Sequence, residues 1–292
     1  MDPNVAGSSP VDRPLLIPFS FLKTLDETMM STWQAFLLGL IQGITEFLPV
    51  SSSGHLALGQ YFFGFEHLQD YVLFDLVCHL GTLIAILYVF FPIIKESLTT
   101  DTSRFWQVVL GTLPLFPLVL ILKPLKGLFD QPQLLGPCFL VTSCILFASL
   151  YFRFPLPTQR NTRSWKDPLT IGLFQAAAIL PGISRSGATI SAARLLGWQK
   201  EQAIQFSFLL AIPAILGGTV IEGWHAWQAP DTALSTVNPL TLIVGFITSF
   251  LVGCFSLWML IRLVIQDKWI YFAWYCLMLG IATTIYFNVF IS

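Results

Sequence analysis

Long apolar stretches constrain this chain more than any other feature of its sequence. A transmembrane helix needs about 20 consecutive apolar residues, and six segments meet or approach that length. They are Tyr71–Phe91, Phe105–Leu122, Gln133–Phe152, Glu201–Ile221, Pro239–Ile261 and Ile270–Phe290. Only 11% of the 292 residues are charged, whereas soluble domains have about 25%. The sequence therefore predicts an all-α polytopic membrane protein with about six transmembrane helices.

Two further regions are interrupted at their centres by Pro, Gly and Ser. The arms Trp33–Leu48 and Leu56–Phe65 flank PVSSSGH, and the arms Leu169–Leu180 and Ala188–Leu196 flank PGISRSG. Arms this short do not cross a bilayer comfortably, and the Pro and Gly between them break helices. Each region is predicted to be a re-entrant helical hairpin, which a membrane tolerates where protein or a water-filled cavity surrounds the irregular backbone.

The two hairpins resemble each other. GLIQGITEFLPVSSSG in the first aligns with GLFQAAAILPGISRSG in the second. The matched pairs are Gln42 with Gln175, Pro49 with Pro181, Ser52 with Ser184 and, after a one-residue slip, Gly54 with Gly187. Each half then has one hairpin and three spans, and an odd number of spans inverts the second half. We therefore expect one membrane domain, residues 31–292, with inverted repeats of about 31–152 and 167–292. Residues 1–30 are expected to be an N-terminal extension or leader.

Loop charges predict the orientation, because cytoplasmic loops are enriched in Lys and Arg. The loop Arg153–Lys166 carries four basic residues and is placed inside, whereas the loop Glu222–Asn238 carries none and is placed outside. The first hairpin then enters from the outer face, and both tips meet near the midplane. Lys123 and Lys126 fall outside and are the one exception.

The predicted tips carry ionisable and hydroxyl side chains. Glu46 and His55 lie on the first tip and Arg185 on the second, and such residues within a membrane cost at least ~2.5–3.5 kcal/mol, which makes them functional candidates. The other polar candidates are Gln42, Ser51, Ser52, Ser53, Ser184, Ser186 and Thr189. The structural alternatives are an ion pair of Glu46 with Arg185 that only ties the hairpins together, and helix capping by the serines.

These side chains suit a phosphorylated substrate. The planar guanidinium of Arg185 matches phosphate oxygens, and hydroxyls and helix N-terminal N–H groups add neutral donors. His55 suits proton transfer and Ser52 nucleophilic attack, while Glu46 suits a divalent cation or a role as base. The residues alone predict phosphoryl hydrolysis or transfer at membrane depth without fixing the lipid. No basic run indicates nucleic acid as a partner.

Three motifs carry a resemblance to a known family. EFLPVSSSGH (Glu46–His55), PGISRSGAT (Pro181–Thr189) and FSFLLAIP (Phe206–Pro213) closely resemble the bacterial undecaprenyl-diphosphate phosphatase family, also called the bacitracin-resistance family. The resemblance covers about residues 31–292. It implies hydrolysis of undecaprenyl diphosphate to undecaprenyl phosphate and inorganic phosphate, which recycles the lipid carrier of peptidoglycan synthesis. It also implies Mg²⁺ or Ca²⁺ and a multi-pass protein of the cytoplasmic membrane, with the site facing the outer, periplasmic side.

Site residues follow from the resemblance by position. The implied catalytic residues are Glu46, Ser52, His55 and Arg185, with Glu46 also a metal ligand. The resemblance implies substrate binding by Gln42, Ser184, Ser186 and Thr189, and the hydroxyls of the first tip add Ser51 and Ser53 as expected substrate-binding residues. Gln42 takes the first position of the family's (E/Q)xxxE pattern, and Gln205 stands where Glu is expected. Both departures remove a carboxylate that would bind metal, and Asp75 and His79 are the candidates to compensate.

Several alternatives stay open. Inverted repeats with broken helices also suit a transporter or flippase of a polyprenyl phosphate lipid. Hydrolysis has two routes, attack by Ser52 through a phosphoserine or direct attack by water with Glu46 as base. Close helix contacts at Gly217 and Gly218, or at Gly245 and Gly253, would support a homodimer among the membrane lipids.

Overall fold

The computed structural model describes residues 30–65, 71–117, 131–152, 164–228 and 237–289, and these residues form helices and no strand. In chain order the α-helices of these ranges are α1 (Thr32–Thr45), α2 (Ser52–Phe62), α3 (Val72–Val89), α4 (Phe91–Thr99), α5 (Thr102–Thr112), α6 (Leu135–Tyr151), α7 (Lys166–Ala177), α8 (Arg185–Leu195), α9 (Lys200–Gln228), α10 (Pro239–Ile265) and α11 (Trp269–Val289). A short 3-10 turn, Pro132–Leu134, leads into α6.

Five described helices are long and apolar enough to cross a bilayer. They cover Val72–Val89, Pro132–Tyr151, Lys200–Ile221, Pro239–Ile265 and Trp269–Val289, which confirms five of the six predicted spans. The sixth, Phe105–Leu122, is described only as far as residue 117, where α5 has already ended at Thr112. Large apolar side chains such as Tyr88, Trp258 and Met278 stay exposed along the long helices, as lipid-facing surfaces require.

Some predicted features lie outside the described residues. They are the N-terminal extension as far as residue 29, Lys123 and Lys126, the basic loop from Arg153 to Arg163, most of the loop Glu222–Asn238, and Phe290. The boundaries of the domain and of the two repeats stay predictions.

Two pairs of short helices flank the Pro- and Ser-containing motifs. Helices α1, α2, α7 and α8 have 14, 11, 12 and 11 residues. At about 1.5 Å per residue they are roughly 16–21 Å long, well short of a hydrocarbon core of about 30 Å. These lengths are those that re-entrant hairpins require. Whether each pair returns to the membrane face from which it entered stays a prediction.

The second helix of each pair begins earlier than predicted. Helix α2 begins at Ser52 rather than near Leu56, and α8 begins at Arg185 rather than near Ala188. The reason is N-capping, because the hydroxyl of Ser51 or Ser184 accepts a hydrogen bond from the backbone N–H three residues later. Most of the predicted tip residues therefore lie in the first turns of helices.

These caps correct the predicted register between the hairpins. The cap serine Ser51 matches the cap serine Ser184, so Gly54 matches its counterpart without a slip and Ser52 matches Arg185. The predicted pairing of Ser52 with Ser184 is wrong by one residue, as is the pairing of the two prolines. The predicted pairing was based on the positions of the two prolines. The helices, however, begin where a serine hydroxyl caps them, and the two cap serines are in a register that differs by one residue from that of the prolines.

Each half of the chain packs its hairpin against the middle span of the other half. Helix α1 packs on α10, and α7 packs on α5. The first spans, α3 and α9, contact each other, and so do the last spans, α6 and α11. Such an exchange of contacts is what two halves related by a pseudo-two-fold axis produce. It brings the tips of the two hairpins to one place.

Two of the glycines considered for dimer contacts are used inside the chain. A Cβ on Gly39 of α1 would lie 2.9 Å from the carbonyl oxygen of Gly245 on α10, and a Cβ on Gly253 would lie 3.1 Å from the ring of Phe47. Gly245 and Gly253 therefore serve packing within one chain. Gly217 and Gly218 have no described atom within 4 Å of an added Cβ.

Candidate active site

The two predicted tips meet, and direct hydrogen bonds join them. The backbone N–H of Gly182 donates to Ser51 Oγ at 3.1 Å, and the hydroxyl of Ser186 donates to the carbonyl oxygen of Leu48 at 3.2 Å. Ser51 has a positive φ of 72°, a region that non-glycine residues adopt rarely and that concentrates at functional sites. The expected meeting of the tips is confirmed.

The carboxylate of Glu46 is the centre of this meeting point. Arg185 Nη2 donates to Glu46 Oε1 at 2.6 Å, and the hydroxyl of Ser52 donates to Glu46 Oε2 at 2.6 Å. Gln42 Nε2 also donates to Oε2, at 3.1 Å. The ion pair of Glu46 with Arg185, which was considered as a purely structural link between the hairpins, is therefore present. The other carboxylate oxygen accepts a hydrogen bond from Ser52, and a purely structural link would not require that bond.

Local structure fixes the position of Glu46. The residue caps the C-terminus of α1, where its N–H donates to the carbonyl oxygen of Gln42. The next residue, Phe47, is fully buried and makes an edge contact with Phe208 of α9, with ring centroids 5.6 Å apart. Packing on both sides thus holds a carboxylate that is itself only 7% exposed.

A partly exposed face surrounds this buried carboxylate. Ser52, Ser53 and His55 on α2 and Arg185 on α8 are all partly accessible. The first N–H groups of a helix have no intrahelical partner, and the helix dipole makes that end favourable for anions. Since α2 and α8 both begin here, two helix N-termini face the same space.

Two buried atoms at this face have no hydrogen-bond partner among the described residues. They are Arg185 Nη1 and Gln42 Oε1. A buried donor or acceptor without a partner costs about 1–3 kcal/mol, so each of these atoms is suited to a ligand. An anion would satisfy the guanidinium, and a cation or a donor would satisfy the amide oxygen.

His55 points towards the last helix. Its Nδ1 lies 2.7 Å from the carbonyl oxygen of Ser51, which only accepts, so Nδ1 carries the proton. In the neutral ring Nε2 therefore accepts a hydrogen bond from the hydroxyl of Tyr275, 2.8 Å away. The two rings are also stacked, with centroids 5.8 Å apart and 11° between their planes. In this arrangement His55 is oriented by Tyr275 and is not bonded to Ser52.

Four of the predicted substrate-binding hydroxyls are buried and bonded within the protein. Ser51 and Ser184 cap helices, and Ser186 lies 3.2 Å from Ser184 Oγ as well as bonding across the tips. The hydroxyl of Thr189 lies 2.6 Å from that of Ser207 on α9. Of the predicted substrate-binding set, only Ser53 is partly exposed.

Sequence reasoning did not select three residues that bond to the site. Thr142 of α6 accepts from the N–H of Ser184 at 3.0 Å and donates to the carbonyl oxygen of Gly182 at 2.8 Å. Tyr275 bonds His55, and Ser207 bonds the second tip. Ser207 lies in the recognised motif FSFLLAIP, which gave a signal, whereas Thr142 and Tyr275 are polar residues in long apolar spans without a local motif.

The two residues expected to compensate for missing carboxylates differ in position. His79 of α3 places its Nε2 3.7 Å from Glu46 Oε2. Asp75 is instead bonded to Gln60, whose Nε2 donates to Oδ1 at 2.8 Å. Gln205, the other departure, lines a small cavity with Arg104 and Trp198, so its amide lies among a different group of side chains.

The oxygen donors near Glu46 fit a divalent cation. No cluster of three His, Cys, Asp or Glu side chains with metal-binding geometry occurs in the described part of the chain. Mg²⁺ needs fewer protein ligands, because it binds one or two carboxylates together with substrate phosphates and water. Glu46 Oε2 and the unpartnered Gln42 Oε1 supply oxygens of that kind.

A hydroxyl and a guanidinium at two helix N-termini are bonded to one carboxylate and enclosed by membrane-length helices. This arrangement fits a phosphoryl group in an integral membrane protein. Comparison with known proteins identifies the family. Residues 35–282 match the family described as bacitracin resistance protein BacA, and the chain belongs to that family.

Relatives agree along nearly their whole length. The undecaprenyl-diphosphatase of Protochlamydia amoebophila (strain UWE25) is 63% identical over 260 residues, which cover 89% of this chain and 100% of the relative. The undecaprenyl-diphosphatases of Treponema denticola and Bacteroides fragilis (strain YCH46) are 38% and 37% identical, each over 88% of this chain and 98% of the relative.

Proposed function

We propose that this chain is an undecaprenyl-diphosphatase. It hydrolyses undecaprenyl diphosphate to undecaprenyl phosphate and inorganic phosphate, and so recycles the lipid carrier for cell-wall synthesis. Family membership and the names of the relatives support the reaction. The single observation that carries the proposal within the molecule is the carboxylate of Glu46, which holds a candidate nucleophile on one oxygen and an arginine on the other.

The alternative of a polyprenyl phosphate flippase is not favoured. The relatives that match most of the chain are named for hydrolysis of a diphosphate. A flippase also has no use for a hydroxyl bonded to a carboxylate at 2.6 Å, which is the geometry of a nucleophile beside its base.

Substrate binding uses the partly exposed face. The terminal phosphoryl group lies between the N-termini of α2 and α8, where Arg185 Nη1 and the free N–H groups of both helices hold its oxygens. The polyprenyl tail leaves the site along apolar, lipid-facing helix surfaces. Phosphoryl transfer depends mainly on such positioning and on charge stabilisation.

In the first chemical step Ser52 attacks the terminal phosphorus. Its Oγ–P bond forms as the bond from phosphorus to the bridging oxygen breaks, and undecaprenyl phosphate leaves. The proton of Ser52 passes to Glu46 Oε2, to which it is already hydrogen-bonded. Arg185 offsets the negative charge on the phosphoryl oxygens. This geometry supports the phosphoserine route over direct attack by water.

In the second step water hydrolyses the phosphoserine. The water oxygen bonds to phosphorus, the Oγ–P bond breaks, and Glu46 returns its proton to Ser52. His55 lies one helical turn after Ser52 on the same face of α2. Its Nε2 takes the proton of the attacking water once that water replaces the hydroxyl of Tyr275 as its hydrogen-bond donor. Tyr275 holds the ring of His55 in the tautomer that has its lone pair on Nε2.

A divalent cation, Mg²⁺ or Ca²⁺, would be held by Glu46 Oε2 and, after a half-turn of the amide that now directs Nε2 to this carboxylate, by Gln42 Oε1. When bound it supplies charge neutralisation for the diphosphate. Among the described residues, one arginine faces one carboxylate at this point, so a substrate with several negative charges needs that help.

The buried hydroxyls of the tips have a positioning role in this proposal. Ser51 and Ser186 bond the tips to each other, Thr189 bonds the second tip to α9, and Ser184 caps α8. We therefore assign substrate contact to Ser53 and to backbone N–H groups instead, since Ser53 is the partly exposed hydroxyl beside Ser52.

The proposal includes two finer points about the protein in its membrane. The chain is a multi-pass protein of the bacterial inner membrane, and we propose that its site faces the outer, periplasmic side. Loop charges support this orientation, because the loop Arg153–Lys166 carries four basic residues and the loop Glu222–Asn238 carries none. We also propose a homodimer, with the open glycine pair Gly217 and Gly218 as its close contact.

Phosphate release from undecaprenyl diphosphate by purified protein in detergent tests the function. We expect release that is lost on chelation, and at least a 10³-fold lower rate in both Ser52→Ala and Arg185→Ala, since they lack the nucleophile and the main charge partner. Ser97→Ala is the matched control, because Ser97 is another helical serine whose hydroxyl bonds only to a carbonyl oxygen of its own helix, α4.

Failure of the wild-type protein to release phosphate with any divalent metal would contradict the hydrolase. Full activity in Ser52→Ala would contradict the phosphoserine route alone. Mass spectrometry of acid-quenched wild-type protein then checks that route directly, because the expected phosphoryl group is on Ser52.

A further inference from the structure

His79 faces the catalytic carboxylate from a helix outside both tip motifs. It lies on α3, and its Nε2 is 3.7 Å from Glu46 Oε2. Its Nδ1 is 2.7 Å from the carbonyl oxygen of Asp75. Because a carbonyl oxygen only accepts, Nδ1 carries the proton and the neutral ring directs the lone pair of Nε2 towards Glu46. Metal-ligating histidines are oriented in this way by a partner on the other ring nitrogen.

The separation of the two atoms fits a shared ion better than a direct bond. A distance of 3.7 Å exceeds the range of an N–H···O hydrogen bond. Two ligand atoms that are each about 2.1 Å from one metal lie ~3.0 Å apart at a right angle and ~4.2 Å apart on opposite sides. The observed separation falls inside that interval.

A third donor stands next to these two. Gln42 donates to Glu46 Oε2 through Nε2, and its Oε1 is buried without a partner in the described part of the chain. A half-turn of the amide would present Oε1 to a cation bound at Glu46 Oε2 and would move Nε2 to the position that Oε1 now has. Arg185 donates to the other carboxylate oxygen, Glu46 Oε1, so a cation would bind on the side of Oε2, beside the hydroxyl of Ser52.

We propose that His79 Nε2, Glu46 Oε2 and Gln42 Oε1 form one cation site, in which His79 is a nitrogen ligand. The amide at position 42 removes one anionic oxygen donor, and the imidazole supplies a neutral nitrogen in its place. Imidazole suits transition metals, whereas Ca²⁺ takes oxygen ligands. We therefore expect the site to prefer Mn²⁺ or Co²⁺ over Ca²⁺. The inference rests on the proposed function only for what the ion does there.

Pulsed electron paramagnetic resonance of the full chain with Mn²⁺ alone tests the ligand directly. We expect modulation from a directly bound nitrogen in the wild-type protein and its loss in His79→Gln. His55→Gln is the matched control, because His55 makes the same bond from Nδ1 to a carbonyl oxygen four residues earlier, at 2.7 Å, but faces Tyr275. That variant should keep the nitrogen signal.

Mn²⁺ titration of the same samples gives a second measurement. We expect His79→Gln to bind Mn²⁺ ~10- to 100-fold more weakly, with a smaller change for Ca²⁺. Absence of nitrogen modulation in the wild-type protein, or its loss only in His55→Gln, would overturn the assignment of His79. Unchanged Mn²⁺ affinity in His79→Gln would do the same.

Phosphate release measured in parallel separates this inference from the function. Bound Mn²⁺ with a nitrogen ligand but no phosphate release from undecaprenyl diphosphate would contradict the proposed hydrolase and leave the cation site standing. Metal-dependent release with no nitrogen ligand would contradict the site and leave the hydrolase standing.

Discussion

Because the two tips approach each other closely at Gly54, we expect that adding a single methyl group at this position lowers the activity strongly. Gly54 lies in the first turn of α2, and a Cβ added there would lie 3.0 Å from Gly182 Cα and 2.6 Å from Phe139 Cζ. Ordinary contacts between carbon atoms begin near 3.5 Å. Gly54→Ala must therefore push the second tip back by about 0.5 Å and the ring of Phe139 by about 0.9 Å.

Both displacements reach the reacting groups. Arg185 lies three residues after Gly182, and its contact with Glu46 is 2.6 Å long. Phe139 makes an edge contact with His55, with ring centroids 5.3 Å apart. A misplacement of about 1 Å can cost 10²-fold in rate. We expect kcat/KM to fall by ~10- to 100-fold, which is about 1.4–2.7 kcal/mol of transition-state stabilisation.

Stability should change much less than activity. Alanine improves helix propensity over glycine by about 1 kcal/mol, which offsets part of an overpacking cost of about 1–3 kcal/mol. Gly59→Ala in the same helix is the matched control, because its Cβ would meet only flexible side-chain ends, Leu38 Cδ2 at 3.1 Å and Ile41 Cδ1 at 3.2 Å. Phosphate release and thermal unfolding in detergent measure the two effects. Near-normal kcat/KM in Gly54→Ala would refute the argument that tip contact sets the geometry of the site.

Further substitutions test residues outside the motifs. Tyr275→Phe keeps the aromatic ring stacked on His55 but removes the hydrogen bond from the hydroxyl to His55 Nε2, so kcat/KM should fall about 10-fold. A pH–rate profile identical to that of the wild type would contradict the role of Tyr275 in orienting His55. Thr142→Val leaves the buried N–H of Ser184 without its acceptor. This substitution should therefore lower the unfolding free energy by about 1–3 kcal/mol. Thr283→Val is the control and should change the unfolding free energy little, because the hydroxyl of Thr283 bonds only its own helix. An equal loss of stability in both variants would refute the bridging role of Thr142.

The length of the apolar runs predicted the described spans well, because the cost of exposing polar backbone to lipid allows few alternatives. The five described spans begin and end within a few residues of the prediction, with one exception at the end of α9, which continues to Gln228. The apolar run of α9 ends at Ile221, but the helix continues as far as Gln228 through residues that are less apolar than the span.

The chemistry of the tips was predicted less completely. Motifs identified Glu46, Ser52 and Arg185, and the structure brings all three together. They did not reveal that His55 turns away from Ser52 to Tyr275, because that contact joins residues 220 positions apart. A hydrogen bond between distant helices leaves no local pattern in the sequence, so only the packing of α2 against its neighbours can show it.

The two hairpins use one scaffold for different chemistry. Ser52 and Arg185 occupy matching positions, each directly after a capping serine, and Ile179 stands in the second hairpin where Glu46 stands in the first. In the proposed mechanism the first hairpin supplies nucleophile and base, and the second supplies the charge that holds the phosphoryl group. Neither hairpin has a complete site. Catalysis therefore requires the contact between the halves, and the hydrogen bonds that close it form part of the active site even where their hydroxyls never touch the substrate.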